Sequence, residues 1–229
     1  MTRPTLHYHP LSSYCHKLLI ALDELGVEVD KQLLNLGGPA ERAAFVAQSP
    51  MGKMPLLVDE GRPVLETSII IEHLQRCHAP AGRALIPADP EQALEVRLWD
   101  RLFDLYVMTP MQAHTADLLR PPGERDPVNV AKAREGLLTA YAMIDRHLEG
   151  RTWAAGEAFT LADCAAAPSL FYAVSYVPLP AGHGRLAAYF ERLMERPSVA
   201  RTVDQARPFF RFFPGRAGLS RRFYVPEAG

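Results

Sequence analysis

Cysteine is scarce here, and the pattern it makes is not a framework. The three cysteines, Cys15, Cys77 and Cys164, are scattered and odd in number, which excludes a disulfide scaffold and fits a reducing compartment. No apolar run is long enough to span a bilayer. The opening residues, Met1-Thr2-Arg3-Pro4-Thr5, lead into a strand pattern without the apolar core of a signal peptide, so a cytoplasmic location and no membrane partner are expected. Neither sign of charge is in excess. The formal net charge is −1, which offers nucleic acid no electrostatic footprint. Internal repeats and low-complexity tracts are also missing. What is present is 229 residues, 48% hydrophobic and 22% charged, an ordinary globular composition that allows one large domain or two small ones. The 20 prolines fall mostly between periodic segments and punctuate them.

The first third alternates strand and helix patterns. Thr5 to His9 has the period of a half-buried strand. Lys17 to Leu25 reads as a helix with Leu18, Leu22 and Leu25 on one face and Gly26 as its stop. Glu28 to Leu34 is a second strand candidate, and Ala40 to Ala47 a short helix after the Gly37-Gly38-Pro39 turn. Met54 to Val58 is a strand opening on Pro55, a position where proline is tolerated. Gly61-Arg62 turns it into Pro63-Val64-Leu65. Glu66 to Cys77 is a helix carrying Ile70, Ile71 and Leu74. A βαβ unit joined to a hairpin predicts a mixed sheet covered by helices.

Residues 79–89 read as a linker, and beyond them strand signals disappear. Asp89-Pro90 is a cap followed by proline at the first helical position, opening a helical stretch to about Leu119 that Pro110 should bend or split. Val128 to Leu148 is a second long helix. Thr160-Leu161-Ala162-Asp163 forms a capping box at the head of a nearly all-apolar, hence buried, helix to about Ala173. Arg185 to Glu195 and Ser198 to Ala206 complete a helical half, 90–206. The tail, 207–229, interleaves Phe209, Phe210, Phe212, Phe213, Phe223 and Tyr224 with five arginines. Its aromatic density predicts packing onto something, as a cover over a substrate pocket or a clamp along the helical half. A competing reading is single-strand nucleic-acid binding by stacking, against which the overall charge argues.

Chemistry concentrates at Ser12-Ser13-Tyr14-Cys15-His16. A strand, a short turn, polar residues and a helix start aim backbone N–H groups and the positive end of a helix dipole at one spot, where an anion, thiolate included, is stabilised. Ser12 alone reads equally as an N-cap. Cys15 lies within the helix and reads as a packed core thiol, or, if exposed, as the source of disulfide-reductase activity. His7 with His9, and His73 with Cys77, share faces but lack the further ligands a zinc site needs, so no metal is expected.

Five segments, in order and at the right spacing, make the chain resemble a cytosolic glutathione transferase over residues 5 to about 206. They are Ser12-Ser13-Tyr14-Cys15 at the first strand-to-helix turn; Ser49-Pro50-Met51-Gly52-Lys53-Met54-Pro55-Leu56-Leu57; Glu66-Thr67-Ser68-Ile69-Ile70; Phe159-Thr160-Leu161-Ala162-Asp163; and Arg196-Pro197-Ser198-Val199. The Ser12-Ser13 start is closest to the serine-type theta and zeta classes and their bacterial relatives. The resemblance implies an α/β thioredoxin-like N-terminal domain, 1–79, an all-α C-terminal domain, glutathione as substrate and a homodimer. It implies Ser12 as the catalytic hydroxyl, with Ser13, Lys53, Met54, Pro55, Glu66 and Thr67 around glutathione. In that picture Met54-Pro55 is cis and the Met54 backbone pairs with glutathione like an added strand. Glu66 takes the substrate ammonium, Thr67 its carboxylate and Lys53 the glycyl carboxylate. The residue-level alternatives are a trans proline, two helix-capping residues and a solvated lysine. Tyr14, Met108, Met111 and His114 are candidates for an acceptor pocket, against the ordinary reading of apolar residues at helical spacing as core.

A thiol of pKa near 8.5 is mostly protonated at neutral pH. Lowering that value by roughly two units takes about 2.7 kcal/mol. One charge-assisted hydrogen bond supplies about 1.5–3 kcal/mol of it, and the helix terminus adds to that. Ser12 is therefore expected to donate to a glutathione thiolate that attacks an electrophilic, apolar substrate. The scaffold equally admits a glutathione-dependent isomerase, dehalogenase or disulfide reductase, or a binding protein without turnover.

Overall fold

The computed structural model describes residues 3–35 and 37–225, and the chain divides into two units between Leu85 and Ile86. In the first unit, β1 (Thr5–Tyr8) lies parallel to β2 (Asp30–Leu33) and antiparallel to β3 (Leu56–Asp59), which pairs antiparallel with β4 (Arg62–Val64). The sheet order is β2-β1-β3-β4. Helices α1 (Ser13–Leu25), α2 (Pro39–Gln48) and α3 (Thr67–Cys77) complete the unit. Leu6, Leu56 and Leu57 of the sheet are buried, and so are the expected faces, Leu18, Leu22 and Leu25 of α1 and Ile70, Ile71 and Leu74 of α3. The burial of these apolar side chains is what holds the unit together. β2 is an edge strand with all four residues exposed, and its charged side chains discourage further pairing.

Several boundaries differ from expectation. Helix α1 starts at Ser13, not Lys17, because Ser12 caps it and accepts the Cys15 N–H. Gly26 ends it at φ 66, its N–H reaching Leu22 and Asp23 carbonyls, a conformation that costs glycine nothing. β3 begins only after Pro55, which has no N–H for the ladder.

The second unit is helical: α4 (Pro90–Phe103), α5 (Thr109–Leu119), α6 (Pro127–His147), α7 (Leu161–Ala173), α8 (Gly184–Glu195) and α9 (Pro197–Ala206). Pro110 does not simply bend one long helix. A π turn, Asp104–Met108, precedes it, and the Thr109 N–H and hydroxyl both reach the Asp104 carbonyl. The wider turn absorbs the position where proline offers no donor. Every residue of α7 is buried. Its Asp163 accepts the Thr160 N–H at 2.8 Å, the Ala154 N–H at 2.9 Å and the Tyr189 hydroxyl at 2.6 Å. Burial pushes the Asp163 carboxyl pKa up, and those donors offset only part of the rise.

The tail clamps the helical unit. Phe210 and Phe213 are buried, against Phe171 (5.7 Å between ring centres) and Tyr172 (5.0 Å) respectively. Arg207 donates to the Arg222 and Phe223 carbonyls at 3.0 and 2.6 Å. A Cβ on Gly218 would lie 1.8 Å from the Ser175 carbonyl oxygen, so that close approach requires glycine. Residues 226–229 of the tail lie outside the described residues.

Candidate functional site

Register brings three separated segments to one end of the sheet. His7 pairs with Leu56, so the antiparallel arrangement sets the end of β1, leading to Ser12, beside the start of β3, which follows Met54-Pro55. Leu57 pairs with Val64, so the end of β4, leading to Glu66 and Thr67, reaches the same edge. Both α1 and α3 therefore start there, each presenting an N-terminus.

The turn before α1 is held at several points. Ser12 N–H reaches the His9 carbonyl at 3.0 Å, and Leu11 N–H reaches His9 Nδ1 at 3.2 Å. His16, buried, donates from Nε2 to the Pro10 carbonyl at 2.6 Å. Burial pushes the His16 pKa down to about 4, against the opposing pull of that carbonyl, so the ring is neutral at physiological pH. Ser12 Oγ accepts the Cys15 N–H at 3.3 Å and is partly exposed; Ser13 is buried and Tyr14 partly exposed. Burial drives the Cys15 thiol up to about 11, while the Ser12 hydroxyl and the His9 backbone pull it down. Cys15 is thus a packed, protonated thiol and no nucleophile at neutral pH.

The Met54–Pro55 bond is cis. The loop before it is fixed by Ser49, whose hydroxyl donates to the Lys53 carbonyl at 3.0 Å while its own carbonyl accepts the Gly52 N–H at 2.7 Å. Lys53 is exposed, Met54 partly so, and Pro55 buried.

At the third corner, Glu66 holds φ 66, a left-handed conformation that is strained for a non-glycine residue and recurs at ligand sites. Glu66 is exposed and Thr67 buried. Behind them lies a group the sequence reading missed. Lys17, wholly buried, donates from Nζ to the Ser68 hydroxyl at 3.0 Å. A lysine directly before the apolar run Leu18-Leu19-Ile20-Ala21-Leu22 was the available signal.

The acceptor candidates separate. Met108 and Met111 are 0% and 3% exposed, core side chains offering no surface to a ligand. His114 is also buried, stacked on Tyr176 with ring centres 5.3 Å apart; burial chiefly, and Arg134 in addition, lower its pKa, with Asp117 opposing. His9 is committed to the turn. His73 has closer company than Cys77: it and His78 both reach Asp59 Oδ2 at 2.7 Å, and these three are the one group among the described residues able to hold a metal ion.

Comparison with known proteins agrees with this geometry. The glutathione S-transferase N-terminal domain profile matches residues 6–82, and the C-terminal domain profile residues 103–197. A glutathione S-transferase of Pseudomonas putida is 33% identical over 158 residues, 69% of each chain. Glutathione S-transferase GstB of Escherichia coli is 27% identical over 204 residues, 84% of this chain and 93% of that one. The structure of a glutathione S-transferase from Methylobacillus flagellatus with glutathione bound superposes with a TM-score of 0.78 at 27% identity, covering 87% of this chain and 98% of that chain. Another, from Methylobacterium radiotolerans in complex with glutathione sulfonate, gives 0.76 at 29% identity, covering 88% and 94%. On these matches, over a thioredoxin-like first unit and a helical second one, the chain belongs to the glutathione S-transferase family.

Proposed function

We propose that the protein is a serine-type, theta/zeta-like glutathione transferase, a cytoplasmic detoxification enzyme that holds the glutathione thiol as a thiolate at the head of α1 and delivers it to an electrophilic, apolar substrate. The observation that carries this reading is the placement of Ser12. As a cap it accepts through a lone pair, which leaves the hydroxyl proton for a different partner. Ser12 is partly exposed at the head of α1, where a glutathione sulfur would take that proton. Helix dipole and hydroxyl together match the ~2.7 kcal/mol that a two-unit shift needs.

Around the sulfur, the Met54 backbone pairs with the glutathione backbone, with Pro55 fixing the chain beside it and Ser13 at the helix start. Glu66 takes the γ-glutamyl ammonium, and Thr67 its carboxylate at the N-terminus of α3. Exposed Lys53 takes the glycyl carboxylate. Tyr14, partly exposed at the head of α1, is the acceptor contact that keeps a polar function; the chemistry itself needs no metal. The buried Cys15 thiol counts against the disulfide-reductase alternative. A homodimer is supported by Leu94, Leu98 and Leu105, exposed at 63%, 49% and 49% along one stretch of α4 and the π turn, an apolar stripe of the kind a partner subunit covers.

The test is the ultraviolet thiolate absorbance of bound glutathione against pH, in the wild type and in Ser12→Ala. A depressed thiol pKa in the wild type, lost in the variant, is the expected result. Equal values in both would reduce Ser12 to a cap, and glutathione affinity without turnover on a panel of electrophiles would make the protein a binding module.

A further inference from the structure

We propose that Asp59, His73 and His78 form a binding site for one divalent transition-metal ion of the zinc type. Asp59 is the last residue of β3, His73 lies near the end of α3 and His78 is that helix's C-cap. The Nε2 atoms of both histidines converge on a single oxygen, Oδ2 of Asp59, each at 2.7 Å. The rings stand edge to face, 5.8 Å between centres. The other carboxylate oxygen, Oδ1, is buried with no hydrogen-bond partner, and Asp59 as a whole is 8% exposed. Two imidazoles and a carboxylate are the ligand set of zinc and its first-row neighbours; calcium and magnesium prefer all-oxygen cages.

The geometry needs little change to accept the ion. Metal–ligand distances near 2.1 Å in a tetrahedron set ligand atoms about 3.4 Å apart, so each Nε2 has to retreat from Oδ2 by roughly 0.7 Å. The histidine side chains are 24% and 14% exposed, enough freedom for that rotation and an open side for water as fourth ligand. On metal binding each ring carries its proton on Nδ1 instead of Nε2. For His73 that nitrogen faces Cys77 Sγ at 3.8 Å, a partner able to accept the relocated N–H and hold the tautomer.

Along α3 the two histidines lie about 9 Å and about 16 Å from Thr67 by helix rise, so the site is separate from the thiol chemistry. Its ion would tie the β3–β4 hairpin to the C-terminus of α3, a structural clamp.

The experiment is calorimetric titration of chelator-treated protein with Zn²⁺, without glutathione because its thiol binds zinc itself, and with Co²⁺ for the visible absorption of a tetrahedral site. One ion per chain is expected, with a melting temperature raised by a few degrees at saturating Zn²⁺. His73→Gln and His78→Gln, which keep a polar side chain and leave Asp59 in place, should each weaken binding at least tenfold and abolish the thermal shift. Cys77→Ser should leave the stoichiometry unchanged. Absence of saturable binding, wild-type affinity in either glutamine variant, or loss of binding in Cys77→Ser would each overturn the site.

Discussion

The Nζ of Lys17 on α1 sits 3.0 Å from the Ser68 hydroxyl on α3, and the lysine has no solvent exposure at all. One buried donor thus links the two helices whose N-termini flank the proposed glutathione site. Removing either partner breaks this part-buried hydrogen bond, so Ser68→Ala and Lys17→Met should each cost about 1–3 kcal/mol in urea unfolding. Because the contact supports α3 and not the sulfur, the glutathione KM should rise in both while kcat changes little.

In the proposed mechanism Ser12 combines capping with thiol activation, and Ser12→Asp separates the two. Aspartate caps as well as serine and suits the dipole, so the urea midpoint should stay close to wild type. A carboxylate beside the thiolate raises the thiol pKa, so kcat/KM at pH 7 should fall at least tenfold. Ser12→Ala should lose both activity and about 1 kcal/mol of stability.

Buried His16 makes folding depend on pH. Its folded pKa, about 4, lies below the usual ~6.5 of an unfolded histidine. The unfolded chain therefore binds the proton first, and stability falls as pH drops from about 6.5 towards 4, by up to about 3 kcal/mol. His16→Gln keeps a donor for the Pro10 carbonyl and has nothing to titrate. Its stability should vary with pH less steeply than the wild type over that window, read by denaturant midpoints at each pH.

Asp163 gathers donors from Thr160, Ala154 and Tyr189 in a fully buried setting. Asp163→Asn replaces one acceptor oxygen with a donor facing other donors. A loss of about 3 kcal/mol or more is expected, with glutathione affinity retained in whatever fraction folds, as measured by thermal melts and glutathione titration.

The features legible in the sequence are those whose causes are local. The Thr160–Asp163 capping box, the Gly26 stop and the Gly61-Arg62 hairpin each act within a few residues. The Leu, Ile and Ala faces of α1, α3 and α7 follow from the helical period alone. The Ser12, Met54-Pro55 and Glu66-Thr67 segments carry their chemistry in residue type and order. The Ser12 cap is local too, and it carries α1 back to Ser13, ahead of the Lys17 that the apolar period marks. Burial is the non-local part: Met108 and Met111, read as acceptor-pocket candidates or as core, are buried.

Sequence by itself determined the two-part architecture, the residue types at the proposed thiol site and the separation of strand from helix, since period, caps and turn chemistry act over one or two turns of chain. Only the tertiary structure decided what meets across it. Sheet register set Ser12, Met54 and Glu66 at one edge. Core packing drew Lys17 onto Ser68, 51 positions away, and brought His73 and His78 onto Asp59 across 14 and 19 positions. Those meetings depend on which faces are buried together, a free-energy balance of the whole core that no short segment encodes.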